Sequence, residues 1–139
     1  MSGHAPPLRI LIGDDSELVR RGIKQLLLSE SNLLVCGEAV DGPDVLRQAR
    51  QLAPDLVLLD ISMPGQSGLE AARLLRQEFP ATDVIMMSQH DPAHFLPRAL
   101  AAGAQACVDK TRLASDLLPA IAALARAPEK FQGAGTPSE

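Results

Sequence analysis

Tryptophan and tyrosine are absent, and phenylalanine occurs three times, at Phe79, Phe95 and Phe131, so the chain has no platform on which bases could stack. Lysine and arginine together number 13 against 17 aspartates and glutamates, for a formal net charge of −4. That balance provides no basic face for a phosphate backbone, and nucleic-acid binding by this chain alone is not expected. The only two cysteines, Cys36 and Cys107, stand far apart without CxxC spacing, which argues against a metal knuckle, a redox dithiol or a disulfide scaffold. Both read as small buried hydrophobes. No stretch approaches the roughly 18 uninterrupted apolar residues of a membrane span. The start, MSGHAPPLR, lacks the basic residues and apolar run of a secretory leader. The expectation is a cytoplasmic protein with no membrane partner.

What is present suits a folded globule. The 139 residues are 46% hydrophobic and 22% charged, enough for one domain that buries roughly two-thirds of the surface its unfolded chain exposes. Apolar runs suited to buried strands recur at Leu8 to Ile12, Leu33 to Val40, Leu56 to Leu59, Val84 to Met87 and Ala106 to Val108. Between them lie helical spacings, Val19, Ile23, Leu26 and Leu27 first and Val45, Ala49, Leu52 and Ala53 next. Ser67 and Glu70 read as a capping box opening a third helix, with Leu69, Ala72, Leu75 and Phe79 inward and Pro80 as its stop. Asp91-Pro92 opens a fourth that ends before Gly103. Leu117, Ile121, Leu124 and Ala125 mark a fifth, whose first turn is expected to hold Pro119. Alternating strands and helices imply a mostly parallel sheet covered on both faces, a doubly wound α/β domain. It is expected over 8–126, after an extension at 1–7 and before a linker-like tail at 127–139.

In an open parallel sheet, ligands bind beyond the carboxyl ends of the strands. Strand one runs into Asp14 and Asp15, strand three ends at Asp60, strand four at Ser88, and strand five leads to Lys110. Any one aspartate there is ordinarily a turn or cap residue. All of them terminating successive strands of one sheet is poorly explained by coincidence. Three converging carboxylates repel unless a cation neutralises them, and oxygen donors without nearby histidine or cysteine favour Mg2+ or Mn2+. Lys110 adds a positive charge and Ser88 a hydroxyl. The set suits a transferring phosphoryl group, with one carboxylate as nucleophile forming an aspartyl phosphate.

On these residues the chain resembles the receiver domain of two-component response regulators, over roughly 8–126. The matching motifs are Asp14-Asp15, LLDISMPGQSGLE with Asp60, the hydroxyl of Ser88, and AGAQACVDK ending in Lys110. GIKQLL, VCGEAVDG, PDLVLLDISMPG and ALAAGA are most similar to NarL/FixJ-type receivers that precede LuxR-type helix-turn-helix domains. The resemblance implies a flavodoxin-like sheet in the order 2-1-3-4-5 and Asp60 as phosphoacceptor. It also implies Mg2+ on Asp15, Asp60 and the Ser62 carbonyl, with Asp14 assisting through water. Lys110 would bond the phosphoryl group, and Ser88 would bond it after transfer and couple the site to helix four. The implied donor is a phosphohistidine on a sensor kinase or histidine phosphotransfer protein, and the implied output is the face of helix four, strand five and helix five, through which a homodimer could form. Such a domain catalyses its own phosphorylation and is not otherwise an enzyme.

The chain departs from the family pattern at Cys107, where a switch aromatic is usual, and at Gln89, where many receivers have a small residue. No helix-turn-helix follows the receiver-like stretch, which leaves open both a longer protein and a stand-alone receiver. Two other functions compete: a pseudo-receiver that binds partners without phosphorylation, and a phosphatase of the haloacid-dehalogenase type. The phosphatase reading is weakened because GDDSE and DISMP do not match DxDx[TV]. His4, His90 and His94 read as surface or capping residues, Met86 and Met87 as strand core, and Glu38, Asp41, Asp44 and Asp109 as caps and solvated charges.

Overall fold

The structure, a computed structural model, describes residues 6–89 and 91–126. Five strands, β1 (Leu8–Gly13), β2 (Leu33–Ala39), β3 (Leu56–Asp60), β4 (Asp83–Ser88) and β5 (Ala106–Asp109), alternate with five helices, α1 (Glu17–Leu28), α2 (Gly42–Leu52), α3 (Gly68–Glu78), α4 (Pro92–Ala101) and α5 (Leu113–Arg126). The strands form one parallel sheet in the order β2-β1-β3-β4-β5, as the resemblance implied. His4, His90 and the tail at 127–139 lie outside the described residues.

Strand alternation sends side chains to two cores. Leu11, Val57, Leu59, Val84 and Met86 face the cluster built with α2, α3 and α4. Ile10, Ile12, Leu56, Leu58, Ile85 and Met87 face the cluster built with α1 and α5. β3, buried along its whole length, therefore carries Asp60 to the centre of the sheet's upper rim. Cys36 and Cys107 are free and sit on β2 and β5, the opposite edges, about four strand spacings or roughly 19 Å apart.

Helix starts follow their caps. Ser16, Asp41, Ser67 and Asp91 accept hydrogen bonds from the amides of Val19, Asp44, Glu70 and Ala93, satisfying first-turn donors. The Ser67 box closes in one direction only, because the Glu70 carboxylate pairs with Arg73. Ala53 is not on the inner face of α2 as its spacing suggested: it is the exposed cap, with φ 48°. Gly103, at φ 102°, follows α4 where a left-handed residue ends a helix.

The fifth helix departs from expectation. α5 begins at Leu113, directly after a single 3-10 turn over Lys110–Arg112, so Pro119 lies inside it. Pro97 likewise lies inside α4. Each proline lacks an N–H and so removes one rung of its helix's backbone ladder.

Candidate functional site

The carboxyl ends of the strands meet at one rim, where the polar residues differ sharply in exposure. Asp14 is fully buried, Asp60 is 4% exposed and Ser88 2%, whereas Asp15, Ser62 and Gln89 are exposed. Asp14 and Asp60 are held in the same way. One carboxylate oxygen of each accepts from the amide two residues on, Ser16 N–H to Asp14 Oδ1 at 2.9 Å and Ser62 N–H to Asp60 Oδ1 at 3.1 Å, a local turn that fixes the side chain. The other oxygen of each faces Lys110, whose Nζ stands 2.8 Å from Asp14 Oδ2 and 3.2 Å from Asp60 Oδ2. The Asp60 contact is a hydrogen bond; at Asp14 the ion pair with Lys110 is the one contact that serves the buried Oδ2 among the described residues.

These neighbours set the electrostatics. Burial, and then the Asp14 charge, push the Asp60 pKa above the ordinary carboxylate value, against the Ser62 amide and Lys110. Burial works against the Lys110 charge as well, but Asp14 and Asp60 outweigh it and raise the ammonium's pKa. One carboxylate oxygen from each of Asp14, Asp15 and Asp60 lies within 4.8 Å of the others. Three carboxylates so close, with a single ammonium among them, make an all-oxygen donor set that fits a hard divalent cation.

β4 and β5 place the remaining candidates. Met86 pairs with Cys107 and Ser88 with Asp109, so alternation sets Ser88 and Cys107 on the face covered by α4. Cys107 packs half-buried on the same core as Phe95 of α4, and burial raises its thiol pKa. Met86 and Met87 are core. His94 is exposed, its ring edge-on to Phe95. Asp41 and Asp109 are caps as expected.

Glu38 is not merely a solvated charge. Arg20 Nε and Lys24 Nζ reach its two oxygens at 2.8 and 2.6 Å, and with Lys24 the foremost cause they hold its pKa below the usual value. Arg20 also donates to the Asp14 carbonyl at 2.8 Å, so this network ties the acidic loop to β2. Arg20 and Lys24 are four apart on α1, a spacing visible in the sequence, but their shared partner on β2 was not. Asp44, read as a cap or solvated charge, binds the Val40 amide at 3.1 Å and also contacts Arg47 and Gln48. Its pKa is lowered although burial opposes the shift.

A doubly wound sheet with a buried Asp–Lys–Asp cluster at its switch-point rim defines a receiver domain, and comparison places the chain there. Residues 10–122 match the response regulator receiver domain family, and the chain belongs to it. It is 34% identical over 125 residues, 90% of this chain and 57% of the relative, to an uncharacterised transcriptional regulatory protein, YxjL, of Bacillus subtilis. It is 39% identical over 114 residues, 82% of this chain and 53% of the relative, to the response regulator GacA of Pseudomonas viridiflava. The chain thus spans about half the length of the curated relatives it matches. Among solved structures, a LuxR-family two-component response regulator from Aurantimonas superposes with TM-score 0.80 at 31% identity, covering 91% of this chain and 94% of that one. The response regulator domain of Thermotoga maritima CheB superposes with TM-score 0.77 at 31% identity, covering 84% of this chain and 95% of the other. Among the described residues, no helix is long and apolar enough to cross a membrane.

Proposed function

We propose that this receiver domain takes a phosphoryl group from a phosphohistidine onto Asp60. The donor would be a sensor histidine kinase or a histidine phosphotransfer protein, and the response would control transcription through a DNA-binding segment outside this chain. The observation that carries the reading is Asp60 itself, buried at the end of the central strand, one oxygen on the Ser62 amide and the other on Lys110, with Asp14 and Asp15 alongside.

An Asp60 carboxylate oxygen attacks phosphorus, a P–O bond forms, and the donor's P–N bond breaks. The electron pair leaves with the imidazole, which takes a proton from solvent. Lys110 balances charge on the phosphoryl oxygens. Mg2+ or Mn2+, held by Asp14, Asp15, Asp60 and Ser62, would neutralise the developing charge. Water attack on phosphorus then cleaves the acyl phosphate and returns the carboxylate. The chain turns over no other substrate. Ser88, beside Asp60 on the α4 side, relays the change to the α4/β5/α5 face, where a second copy can dock.

Intact mass after incubation with Mg2+ and acetyl phosphate tests this. The wild-type chain gains one phosphoryl group and Asp60→Asn gains none. An Asn variant that still gains it to the same level overturns the assignment, and a wild-type chain that gains nothing turns the reading to an interaction module.

A further inference from the structure

At the acceptor site three carboxylates, Asp14, Asp15 and Asp60, face one ammonium, Lys110, which leaves two net negative charges. A divalent cation cancels these and no more. A phosphoryl donor is itself anionic, so the site as described offers it no long-range attraction. A source of attraction lies next to it. An open cavity of about 770 Å³ runs from Asp15 and Ser62 to Phe95 and Arg98 of α4. A second, of about 320 Å³, continues past Arg98 along Ser67, Leu69 and Glu70.

Arg98 is the arginine that lines both cavities. Arg20, Arg47, Arg50, Arg73 and Arg112 each pair with a carboxylate. Among the described residues none pairs with Arg98; its guanidinium stands 5.5 Å from the centre of the Phe95 ring, an arrangement that holds a cation by its attraction to the ring face. Arg9, Arg21 and Arg76 also have no carboxylate partner among the described residues, but they line neither cavity. Glu70, the carboxylate in the second cavity, is engaged by Arg73. The Phe95 ring thus keeps one positive charge, uncompensated by any carboxylate, in the wall of the cavity that opens onto Asp15 and Ser62 beside Asp60.

Resting on the phosphoacceptor reading, we propose that Arg98 is a donor-positioning residue, drawing the phosphoryl dianion of the incoming donor through this cavity toward Asp60. The recognised chemistry is the phosphoryl group, shared by small acyl phosphates and by a phosphohistidine on a protein. In Arg98→Ala the half-saturating concentration of acetyl phosphate should rise about three- to fivefold, the worth of one exposed charge contact, with the saturated rate unchanged. Arg98→Lys should retain most of the effect. The difference should vanish near 1 M salt, where screening acts over about 3 Å, and Mg2+ should bind Arg98→Ala at least as tightly, because a repelling cation is gone. A phosphorylated phosphotransfer protein should show the same direction of change. An effect confined to the protein donor would mean that Arg98 reads the partner's surface, which overturns the inference. An unchanged half-saturation, or a fall in saturated rate that persists in salt, overturns it too while leaving Asp60 phosphorylation standing. A wild-type chain that accepts no phosphoryl group overturns the acceptor reading first, and this inference with it.

Discussion

Lys110 contacts two buried carboxylates at once, and its removal leaves both facing each other without a cation. Breaking a buried pair in this way costs about 3 kcal/mol, the expected destabilisation of Lys110→Met at neutral pH in chelator. The pH dependence has a definite sign. The folded-state pKa of Asp60 is raised, so Asp60 binds its proton in the folded chain before the unfolded one. It therefore adds stability below its unfolded pKa that is lost as pH rises through the folded value. Without Lys110 that pKa climbs further, so the deficit of the variant should shrink as pH falls from 7 toward 5. Urea denaturation at the two pH values checks this, and an equal deficit at both would contradict it. Gln89 poses a separate question at the same scale. It is exposed and follows the buried Ser88, so Gln89→Ala should open the pocket to small donors and to water alike. Phosphorylation by acetyl phosphate and loss of the phosphoryl group should both quicken several-fold in timed mass measurements. Unchanged rates in both directions would show the side chain to be clear of the pocket.

Among the elements, α3 fixes the loop that carries Ser62. Its first residue, Gly68, donates to the Ile61 carbonyl at 2.8 Å, and a Cβ there would collide with the Asp60 carbonyl oxygen. That contact is with backbone and cannot be relieved by a rotamer change. Gly68→Ala should push α3 off the end of β3, cost about 1–3 kcal/mol as over-packing does, and weaken Mg2+ binding as the Asp60 loop shifts. Thermal unfolding and a Mg2+ titration measure the two effects, and wild-type values in both would refute the close approach. β5 gives a second case. Cys107 carries one heavy atom beyond Cβ, so little apolar area changes hands if it turns, far less than the 1.5–3 kcal/mol of burying a large side chain. Cys107→Ala should leave phosphorylation-dependent self-association near wild type, and Cys107→Tyr should strengthen it, as sedimentation can show.

The elements also explain what the sequence made legible. β1, β3 and β4 announced themselves because each is buried on both faces, so its apolar run is continuous. Asp14, Asp60 and Ser88 stood out because each follows such a run directly. The start of α5 did not, since Pro119 imitates a first-turn residue and the 3-10 turn at Lys110–Arg112 feeds the helix without an intervening loop. Glu38, read as a cap or solvated charge, and Arg98, not singled out, were illegible for another reason: the partners of the first come from a different element and the second sits in a cavity wall, and no spacing along the chain encodes those distances.

For the whole molecule, a cation bound only by the folded chain adds stability in proportion to its occupancy. At ten times its dissociation constant Mg2+ should add about 1.4 kcal/mol. The melting temperature should therefore rise with Mg2+ and fall back in chelator, and Asp15→Ala should be insensitive to both. A wild-type melting curve unmoved by Mg2+ would remove the acidic cluster as a metal site. The sheet order has its own check, because cysteines on opposite edges cannot meet: a bridge between Cys36 and Cys107, found by non-reducing peptide mapping, would be incompatible with it.

The two open edges of that sheet bear on how the protein behaves at high concentration. On β2 the register slips between Ile10 and Leu11, whose partners are Val35 and Gly37, so Cys36 is an extra residue in a bulge. A bulge adds local twist and breaks the even row of amides and carbonyls that another chain would need as a template. The far edge, β5, is four residues long and turns at once into Lys110. Leu34 stands 47% exposed on β2, an apolar side chain on an edge otherwise suited to strand addition. The irregularity at Cys36 thus makes β2 a poorer template for an added strand than an unbroken edge would be.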